Sequence, residues 1–258
     1  MNSSERLPAP RLSVLIPVRN EKATIKIALK VLEALVEEPH EVLIVYDFPE
    51  DDTVPEVDAL RPAFPQFRLV HNTLGRGIHN AFKAGIQAAR GDYVCFMLAD
   101  DIGPMTSIGT MIALMEVGCD FVSCTRYARG GKRVGGSFIG HLLSRTANLL
   151  FHHLAGCVLT DATTGIKMFR RELYEGFDLQ AEVGWAVIFE MAIKAQAAGL
   201  KLGEVPISSV DRLYGGQSTF RVLPWVREYL KWFFWGFRHL RRNRDRMSTT
   251  VKVLGESA

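Results

Sequence analysis

Hydrophobic and polar positions alternate in blocks along the first hundred residues. The short apolar run RLSVLIPV predicts a strand, and the next stretch repeats apolar residues at helical spacing, at Ile25, Ala28, Leu29, Leu32 and Leu35. HEVLIVYD, FRLVHN and DYVCFMLAD predict three further strands, and GIHNAFKAGIQAAR predicts a helix before the last of them. Strands that alternate with helices are typical of βαβ units. The pattern therefore predicts an α/β fold with a mostly parallel central sheet flanked by helices.

The pattern becomes less regular in the second half of the chain. CDFVSCTRY predicts another strand, and ARGGKRVGG predicts a mobile loop rich in glycine and arginine. A helix is predicted from about Ser137 to Ala155, and DATTGIKMFRRELYEG is interpreted as a turn. A helix that carries Glu190 and a strand that ends at Pro206 follow. We expect one catalytic domain over residues 1–220 and a basic helix and tail over residues 221–258.

The C-terminal stretch FRVLPWVREYLKWFFWGFRHLRRNRDR has its own pattern. An apolar stripe recurs at helical spacing through Val226, Leu230, Phe233, Phe237 and Leu240, with further aromatic residues beside it and basic residues at its flanks and end. Aromatic and basic residues on an amphipathic helix are typical of a segment that lies in the membrane interface. The alternative interpretation is a helix packed against the catalytic domain or a dimer partner.

Composition narrows the classes of protein. The chain has 258 residues, 48% of them hydrophobic and 23% charged, which is ordinary for a globular protein. The net charge of +3 gives no reason to expect a nucleic-acid partner. The four cysteines lack a CxxC spacing and indicate buried thiols in a reducing cytoplasm rather than zinc or disulfides. The N-terminus has no secretory h-region, and no run reaches the about 18 apolar residues of a spanning helix.

Polar residues follow three of the predicted strands, at the point where each strand ends. Arg19 and Glu21 follow the first strand, Asp47 ends the second, and Asp100 and Asp101 end the fourth. The carboxyl ends of parallel strands meet at one edge of a sheet, so we expect these side chains to share a crevice. Carboxylates suit Mg²⁺ or Mn²⁺, and arginines further along the chain supply positive charge for phosphate oxygens. The crevice is therefore expected to bind a nucleotide diphosphate.

Nine motifs resemble glycosyltransferase family 2, in the order found in that family. They are SVLIPVRNE, VYDFPEDDT, GIHNAFKAG, GDYVCFMLADD, TRYARGG, DATTGIKMFRRE, VGWAVIFEM, EVPI and DRLYGGQS. Within the family they most resemble the dolichol-phosphate mannosyltransferases and related polyprenyl-phosphate sugar transferases. The resemblance extends from about Leu12 to Phe220 and implies a GT-A fold.

The resemblance also implies a donor site. It places four residues around the base and ribose of the nucleotide: Pro17, Arg19, Glu21 and Asp47. Asp100 falls on the metal-binding aspartate of the family's D-x-D motif. The chain departs from the family at Leu98, where the motif begins with Asp, and at Ile102, where Gln is frequent. Metal ligation is therefore expected to rest on Asp100 and Asp101.

The phosphate and acceptor residues are implied in the same way. Arg126 matches a family arginine and is expected to be catalytic with Asp100 and Asp101. Ser144 matches a phosphate-contacting serine, with Arg145 beside it. Gly140 replaces an expected basic residue, for which Arg133 or Arg145 is the substitute, and Thr219 replaces a frequent lysine. Arg212 and Ser218 match a segment near the acceptor.

The implied reaction is inverting transfer of a sugar from a nucleotide-diphosphate sugar to a polyprenyl phosphate, on the cytoplasmic side of a membrane and peripheral to it. A lipid monophosphate has a second pKa near ~6 and needs no general base. A hydroxyl on a soluble or cell-envelope glycan would need one, with Asp101 or Asp161 as candidates. A nucleotidyltransferase is a further alternative, but it would be expected to have a glycine-rich phosphate loop after the first strand, and PVRNEKAT contains no glycine. A non-catalytic membrane adaptor is the remaining alternative.

Overall fold

The structure, a computed structural model, describes residues 9–135, 138–211 and 222–242. Its strands are β1 (Leu12–Val18), β2 (His40–Tyr46), β3 (Phe67–His71), β4 (Tyr93–Phe96), β5 (Phe121–Thr125), β6 (Lys132–Gly135), β7 (Lys167–Arg170), β8 (Leu202–Pro206) and β9 (Ser208–Asp211). Its α-helices are α1 (Ile25–Leu35), α2 (Thr53–Leu60), α3 (Ile78–Ala88), α4 (Ile108–Glu116), α5 (Phe138–Leu150), α6 (Ala186–Ala197) and α7 (Val222–Arg242).

Seven strands form the central sheet in the order β3-β2-β1-β4-β7-β5-β8. β1 pairs in parallel with β2 on one side, where Leu12 lies opposite His40, and with β4 on the other, where Leu12 lies opposite Tyr93. β7 alone in this sheet runs antiparallel to its neighbours, β4 and β5. The predicted α/β fold with a mostly parallel sheet is confirmed. The carboxyl ends of β1, β2 and β4 consequently lie side by side at one edge.

Both faces of the sheet are covered, which explains why its central strands are apolar at almost every position. Alternate side chains of β1 point to opposite faces: Val14 and Ile16 pack with α1 and α4, and Leu15 packs with α3 and α6. α3 lies very close to the sheet, because a Cβ on Gly85 would be 2.6 Å from a methyl group of Leu15. Glycine at this position allows the helix to approach.

Two short strands correct the sequence-based interpretation. Lys167–Arg170 was interpreted as part of a turn, but it forms β7 in the middle of the sheet. Lys132–Gly135, placed in a mobile loop, forms β6 and pairs in parallel with β9. Each strand has only four residues and carries charged side chains, so neither shows an alternating pattern long enough to recognise.

The helix predicted from about Ser137 to Ala155 is present as α5 and a π-helical turn, Phe151–Ala155, which ends at Gly156 in the left-handed region. α7 packs on this turn and on α6. A Cβ on Gly236 would be 2.5 Å from the ring of Phe151, and the rings of Phe151 and Phe233 lie 5.1 Å apart. One face of the C-terminal helix therefore packs on α6 and on the π-helical turn, which agrees with the alternative interpretation of a packed helix. Among the described helices, none combines the length and apolar character needed to cross a membrane.

Candidate active site

The side chains of Asp51 and Thr53, which local sequence patterns did not indicate, join the loop after β1 to the loop after β2. The backbone N–H of Asn20 donates to both carboxylate oxygens of Asp51, at 3.2 and 3.1 Å, and the N–H of Glu21 donates to Thr53 Oγ1 at 2.9 Å. Asn20 has φ 58°, a left-handed conformation that asparagine tolerates better than most residues. These hydrogen bonds therefore join the two loops along one side of the expected crevice.

Glu21 and Asp100 come together as predicted, although they follow different strands. Thr24 Oγ1 donates to the Glu21 carboxylate at 2.8 Å. Burial raises the pKa of Glu21, and the negative charges of Asp100, Asp51 and Asp52 raise it further. The carboxylates of three loops thus concentrate negative charge at the mouth of the crevice.

Asp47 holds the segment between β3 and α3. Its carboxylate accepts hydrogen bonds from Asn72 Nδ2 at 2.7 Å and from the N–H of Gly77 at 3.0 Å. The same amide of Asn72 donates to the carbonyl of Gly75 at 2.7 Å. Of the other residues assigned to the nucleotide, Pro17 is half-buried on β1 and Arg19 is exposed just beyond it.

Asp100 and Asp101 are adjacent in sequence but differ in environment. Asp100 is half-buried beside Glu21. Asp101 is buried, and its carboxylate accepts hydrogen bonds from Ser209 Oγ at 2.5 Å and from the N–H of Val210 at 3.2 Å. Leu98 and Ile102, the two departures from the family motif, are partly buried against the hydrophobic core.

The residues at this edge fit a divalent cation only together with a phosphate ligand. Within the described part of the chain, no group of three or more His, Cys, Asp and Glu side chains has the arrangement of a metal site. Mg²⁺ commonly binds through one or two carboxylates and completes its shell with water and substrate phosphates. Asp100, in the acid-rich mouth, is the side chain that fits this mode.

Arg126 lies in an ion pair instead of pointing openly into the crevice. Its Nε donates to Asp161 Oδ2 at 2.7 Å and its Nη2 donates to Oδ1 at 3.0 Å, while Nη2 also donates to Thr163 Oγ1 at 3.1 Å. The guanidinium lies 5.2 Å from the ring centroid of Tyr127. Burial would raise the pKa of Asp161, but the charge and hydrogen bonds of Arg126 hold it below its usual value.

Ser144 belongs to the same network as Arg126. Tyr127 Oη donates to Ser144 Oγ at 2.9 Å, and Asn148 on the next turn of α5 donates to Thr163 Oγ1 at 2.8 Å. Arg145, the neighbour of Ser144, is exposed. The structure thus brings together Arg126, which was expected to be catalytic, and Ser144, which was assigned to the phosphate and acceptor site. Arg212 and Ser218, assigned to the same site, lie outside the described residues.

Two buried charged residues near Asp161 were missed from the sequence. Lys167 is fully buried on β7 and donates to Ser123 Oγ at 2.6 Å; burial lowers its pKa to about 8. Glu204 on β8 accepts from the N–H of Thr160 at 2.8 Å, and burial raises its pKa. A single charge inside an apolar run, as in GIKMF or KLGEVPI, is the signal that would have indicated them.

Known proteins resemble the chain in sequence and in fold. Residues 13–177 match the family described as glycosyl transferase family 2. The dolichol-phosphate mannosyltransferase of Pyrococcus furiosus is 26% identical over 230 residues, which cover 86% of this chain and 64% of that protein. The polyprenol monophosphomannose synthase of Mycolicibacterium smegmatis is 28% identical over 233 residues, which cover 84% of this chain and 88% of the relative. The chain thus spans slightly less than two thirds of the Pyrococcus furiosus relative.

Solved structures of glucosyl-3-phosphoglycerate synthase from Mycobacterium tuberculosis share the fold. One, in complex with phosphoglyceric acid, has a TM-score of 0.67 at 19% identity and covers 89% of this chain and 80% of that one. Another, with Mn²⁺, UDP-glucose and phosphoglyceric acid, has a TM-score of 0.66 at 20% identity with the same coverage. The fold of the chain is the GT-A fold. Because the family match extends over more than half of its length, the chain belongs to glycosyl transferase family 2.

Proposed function

We propose that this chain transfers a sugar, with inversion, from a nucleotide-diphosphate sugar to a polyprenyl phosphate at a membrane surface. The names of the two curated relatives support a lipid-phosphate acceptor. In the reaction, a phosphate oxygen of the acceptor forms a bond to the anomeric carbon while the bond from that carbon to the nucleotide diphosphate breaks. The diphosphate leaves with the electron pair.

One observation carries the choice of acceptor: the two carboxylates considered as general bases both have other partners. Asp161 is 0% exposed and accepts hydrogen bonds from Nε and Nη2 of Arg126. Asp101 is buried and accepts from Ser209 and Val210. A hydroxyl acceptor would need one of them to take its proton, whereas an ionised phosphate needs no base. The arrangement therefore favours a phosphate acceptor.

The donor would bind at the edge formed by β1, β2 and β4. We assign the base and ribose to Pro17 on β1, and to Arg19, Glu21 and Asp47 on the loops that Asp51 and Asn72 hold in place. Asp100 is the proposed ligand of Mg²⁺ or Mn²⁺ and supplies a carboxylate at the mouth of the crevice. When bound, the cation would stabilise the negative charge that develops on the leaving diphosphate.

The acceptor phosphate would bind on the side of α5. Ser144, Arg145 and Arg126 are the proposed contacts, with Arg212 and Ser218 further along the chain. In the described geometry Arg126 orients Tyr127 and the loop around Asp161, so Arg145 is the more accessible cation. We therefore propose that Arg126 mainly positions Tyr127 and the loop around Asp161, and that Arg145 mainly attracts the acceptor phosphate.

Peripheral membrane contact is supported by apolar side chains that the fold leaves exposed. α5 and its π-helical turn carry five exposed leucines: Leu142, Leu143, Leu149, Leu150 and Leu154. α7, which packs on that turn, has Val226, Leu230 and Phe234 exposed. A helix surface that enters the lipid headgroup region is expected to expose several apolar side chains next to basic ones. We propose the cytoplasmic face as the side of contact.

A soluble acceptor is the second candidate, since the structures that share the fold contain phosphoglyceric acid. Transfer assays separate the two. The protein, with Mn²⁺, is given radiolabelled GDP-mannose or UDP-glucose together with a polyprenyl phosphate in detergent or with 3-phosphoglycerate. We expect label in the organic phase with the polyprenyl phosphate. Label found only in the aqueous product with 3-phosphoglycerate would overturn the proposal in favour of the second candidate.

A further inference from the structure

We propose that Asp101 is a positioning residue that holds strand β9 against the end of β4, and that it does not ligate the cation. The contact involves the side chains of Asp101 and Ser209, the N–H of Val210, Gly103 and the backbone carbonyl of Ser208, which together we call the β9 latch. The expected effect of the latch on the KM for the acceptor rests on the proposed function. The expected effects on cation binding and on hydrogen exchange in β6 and β9 do not depend on that function.

The hydrogen bonds of Asp101 lead to β9. One carboxylate oxygen accepts from Ser209 Oγ at 2.5 Å, and the other accepts from the N–H of Val210 at 3.2 Å. Asp101 is 7% exposed and Ser209 is 6% exposed, so these bonds form away from water. A buried carboxylate that lost such partners would be strongly destabilised. Its contacts therefore favour a fixed orientation toward β9, while Asp100 stays in the acid-rich mouth beside Glu21.

Gly103 gives an independent reason to regard this contact as specific. A Cβ at this position would lie 2.2 Å from the carbonyl oxygen of Ser208, a distance that two such atoms do not reach. The φ of Gly103 is not positive, so the backbone conformation alone does not require glycine. The close approach of β9 therefore explains why glycine occupies position 103.

β9 connects this contact to the acceptor side. It pairs in parallel with β6, where Lys132 lies opposite Ser208 and Arg133 opposite Ser209. At its other end, the N–H of Ile207 donates to the carbonyl of Thr125 at 2.9 Å, next to Arg126. The β6–β9 pair is thus attached both to the segment after Asp100 and to the end of β5. The latch sets the position of Arg133 relative to the proposed cation site.

Three variants disturb the latch, and two further substitutions are controls for them. Asp101→Ala removes both acceptors, Ser209→Ala removes one donor, and Gly103→Ala pushes β9 away. Ser208→Ala alters the exposed neighbour of Ser209, and Gly109→Ala adds a Cβ that meets nothing within 4 Å. We expect the three latch variants to raise the KM for a short-chain polyprenyl phosphate about tenfold, with the KM for the donor nearly constant, as the loss of a buried charge-assisted hydrogen bond would give.

Asp101→Asn distinguishes a latch from a metal ligand. An amide oxygen can accept from Val210, and the amide N–H can donate to Ser209 Oγ, so this variant should recover most of the acceptor KM lost in Asp101→Ala. Calorimetry with UDP and with GDP, in the presence and absence of Mn²⁺, should show that it keeps the manganese-dependent binding that Asp100→Asn loses. Equal loss of that binding in Asp100→Asn and Asp101→Asn would overturn the proposal.

Hydrogen exchange tests the latch without any transfer reaction. Peptides that contain residues 132–135 and 208–211 should exchange faster in Asp101→Ala and Gly103→Ala, while peptides from β1 and β2 should not change. If no acceptor is turned over, the proposed function fails, but faster exchange at β6 and β9 would still support the latch. Exchange identical to that of Ser208→Ala and Gly109→Ala would overturn it.

Discussion

Arg126 donates from Nε and Nη2 to the two carboxylate oxygens of Asp161, at 2.7 and 3.0 Å, across 35 residues of sequence. Asp161 is fully buried and 13% of the Arg126 side chain is exposed, so the pair is largely removed from water. Removing one member of such a pair leaves an unpaired charge, which costs about 3 kcal/mol or more. We therefore predict that Asp161→Asn lowers the free energy of unfolding by about 3 kcal/mol.

Urea denaturation measures this change, and Asp92→Asn, at an exposed aspartate, is the matched control. Arg126→Met, alone and in the Asp161→Asn background, completes a double-mutant cycle. The two substitutions should be strongly non-additive, because each removes the same ion pair. Additive effects, or a loss in Asp161→Asn no larger than in Asp92→Asn, would contradict the assigned role.

We predict that Asp100→Asn lowers the rate of sugar transfer about a hundredfold, since loss of a bound cation removes several kcal/mol of transition-state stabilisation. The same substitution should not lower the melting temperature. The charge of Asp100 raises the pKa of Glu21, so neutralising it relieves repulsion and lowers that pKa. Turnover measured against Mn²⁺ concentration, with a thermal melt of the same sample, checks both statements. Full manganese-dependent turnover in Asp100→Asn would rule out this residue as the ligand.

We predict that Asp47→Ala weakens donor binding about tenfold and leaves the rest of the fold in place. The carboxylate holds Asn72 and the N–H of Gly77, so its removal both loses a proposed contact with the nucleotide and releases the segment before α3. Calorimetry with UDP and GDP measures the affinity. Asp58→Ala, at an exposed site on α2, is the control, and equal affinity in the two variants would remove Asp47 from the donor site.

From the lowered pKa of Lys167 we predict that the free energy of unfolding rises with pH in the alkaline range. Burial lowers its pKa to about 8, below the 10.5 of a free lysine, so between these values the unfolded chain binds more protons than the folded one. Stability then rises with pH across that window, and below pH 8 the cost of burying the charge is fully present. The charged neighbours are Asp161, Glu204 and Arg126, and the Cys124 thiol has its pKa raised by burial to about 12, outside the window.

The comparison with Lys167→Met isolates this effect. The free energy of unfolding of the wild type minus that of the variant should increase by about 1 to 2 kcal/mol between about pH 7 and about pH 9.5. Urea denaturation at several pH values provides the measurement. A difference that stays constant with pH would show that Lys167 keeps an ordinary pKa, and one that falls with pH would show a raised pKa; either result would contradict the prediction.

The sequence was informative about the fold wherever a segment was long enough to show its period. β1 and β2, with seven residues each, and α1 and α3, with eleven each, are visible as hydrophobic patterns. β7 is not, because four residues that begin with a lysine and end with an arginine do not look like the centre of a sheet. Its place between β4 and β5 depends on contacts distant in sequence.

The same distinction applies to the site. Because the carboxyl ends of parallel strands meet at one edge of a sheet, the sequence alone predicted that Glu21 and Asp100 lie close together, as they do in the structure. It gave no information about the direction of each side chain. Asp101 bonds to a strand 108 residues later, and Arg126 finds its partner 35 residues later. Partners at such separations are fixed by the tertiary fold, so local patterns do not reveal them.

We predict that the exposed apolar side chains of α5 and α7 are required for membrane binding. Leu143 and Phe234 are each 65% exposed, so replacing both with serine should leave the fold intact while it removes two large apolar groups from the proposed membrane contact. Truncation before α7 is a poorer test, because α7 covers Phe151 and Phe189 and its loss would expose the core. Leu35→Ser, at an exposed leucine of α1, is the matched control.

We expect the wild type and Leu35→Ser to sediment with anionic liposomes at low salt, and to be released in part as salt screens the basic side chains. The double variant should bind at least about tenfold more weakly, since each apolar side chain contributes about 1.5 kcal/mol or more when it leaves water. Its thermal melt should match that of the wild type, which separates loss of binding from unfolding. Wild-type protein that remains in the supernatant at low salt would contradict the membrane role and would favour the soluble acceptor.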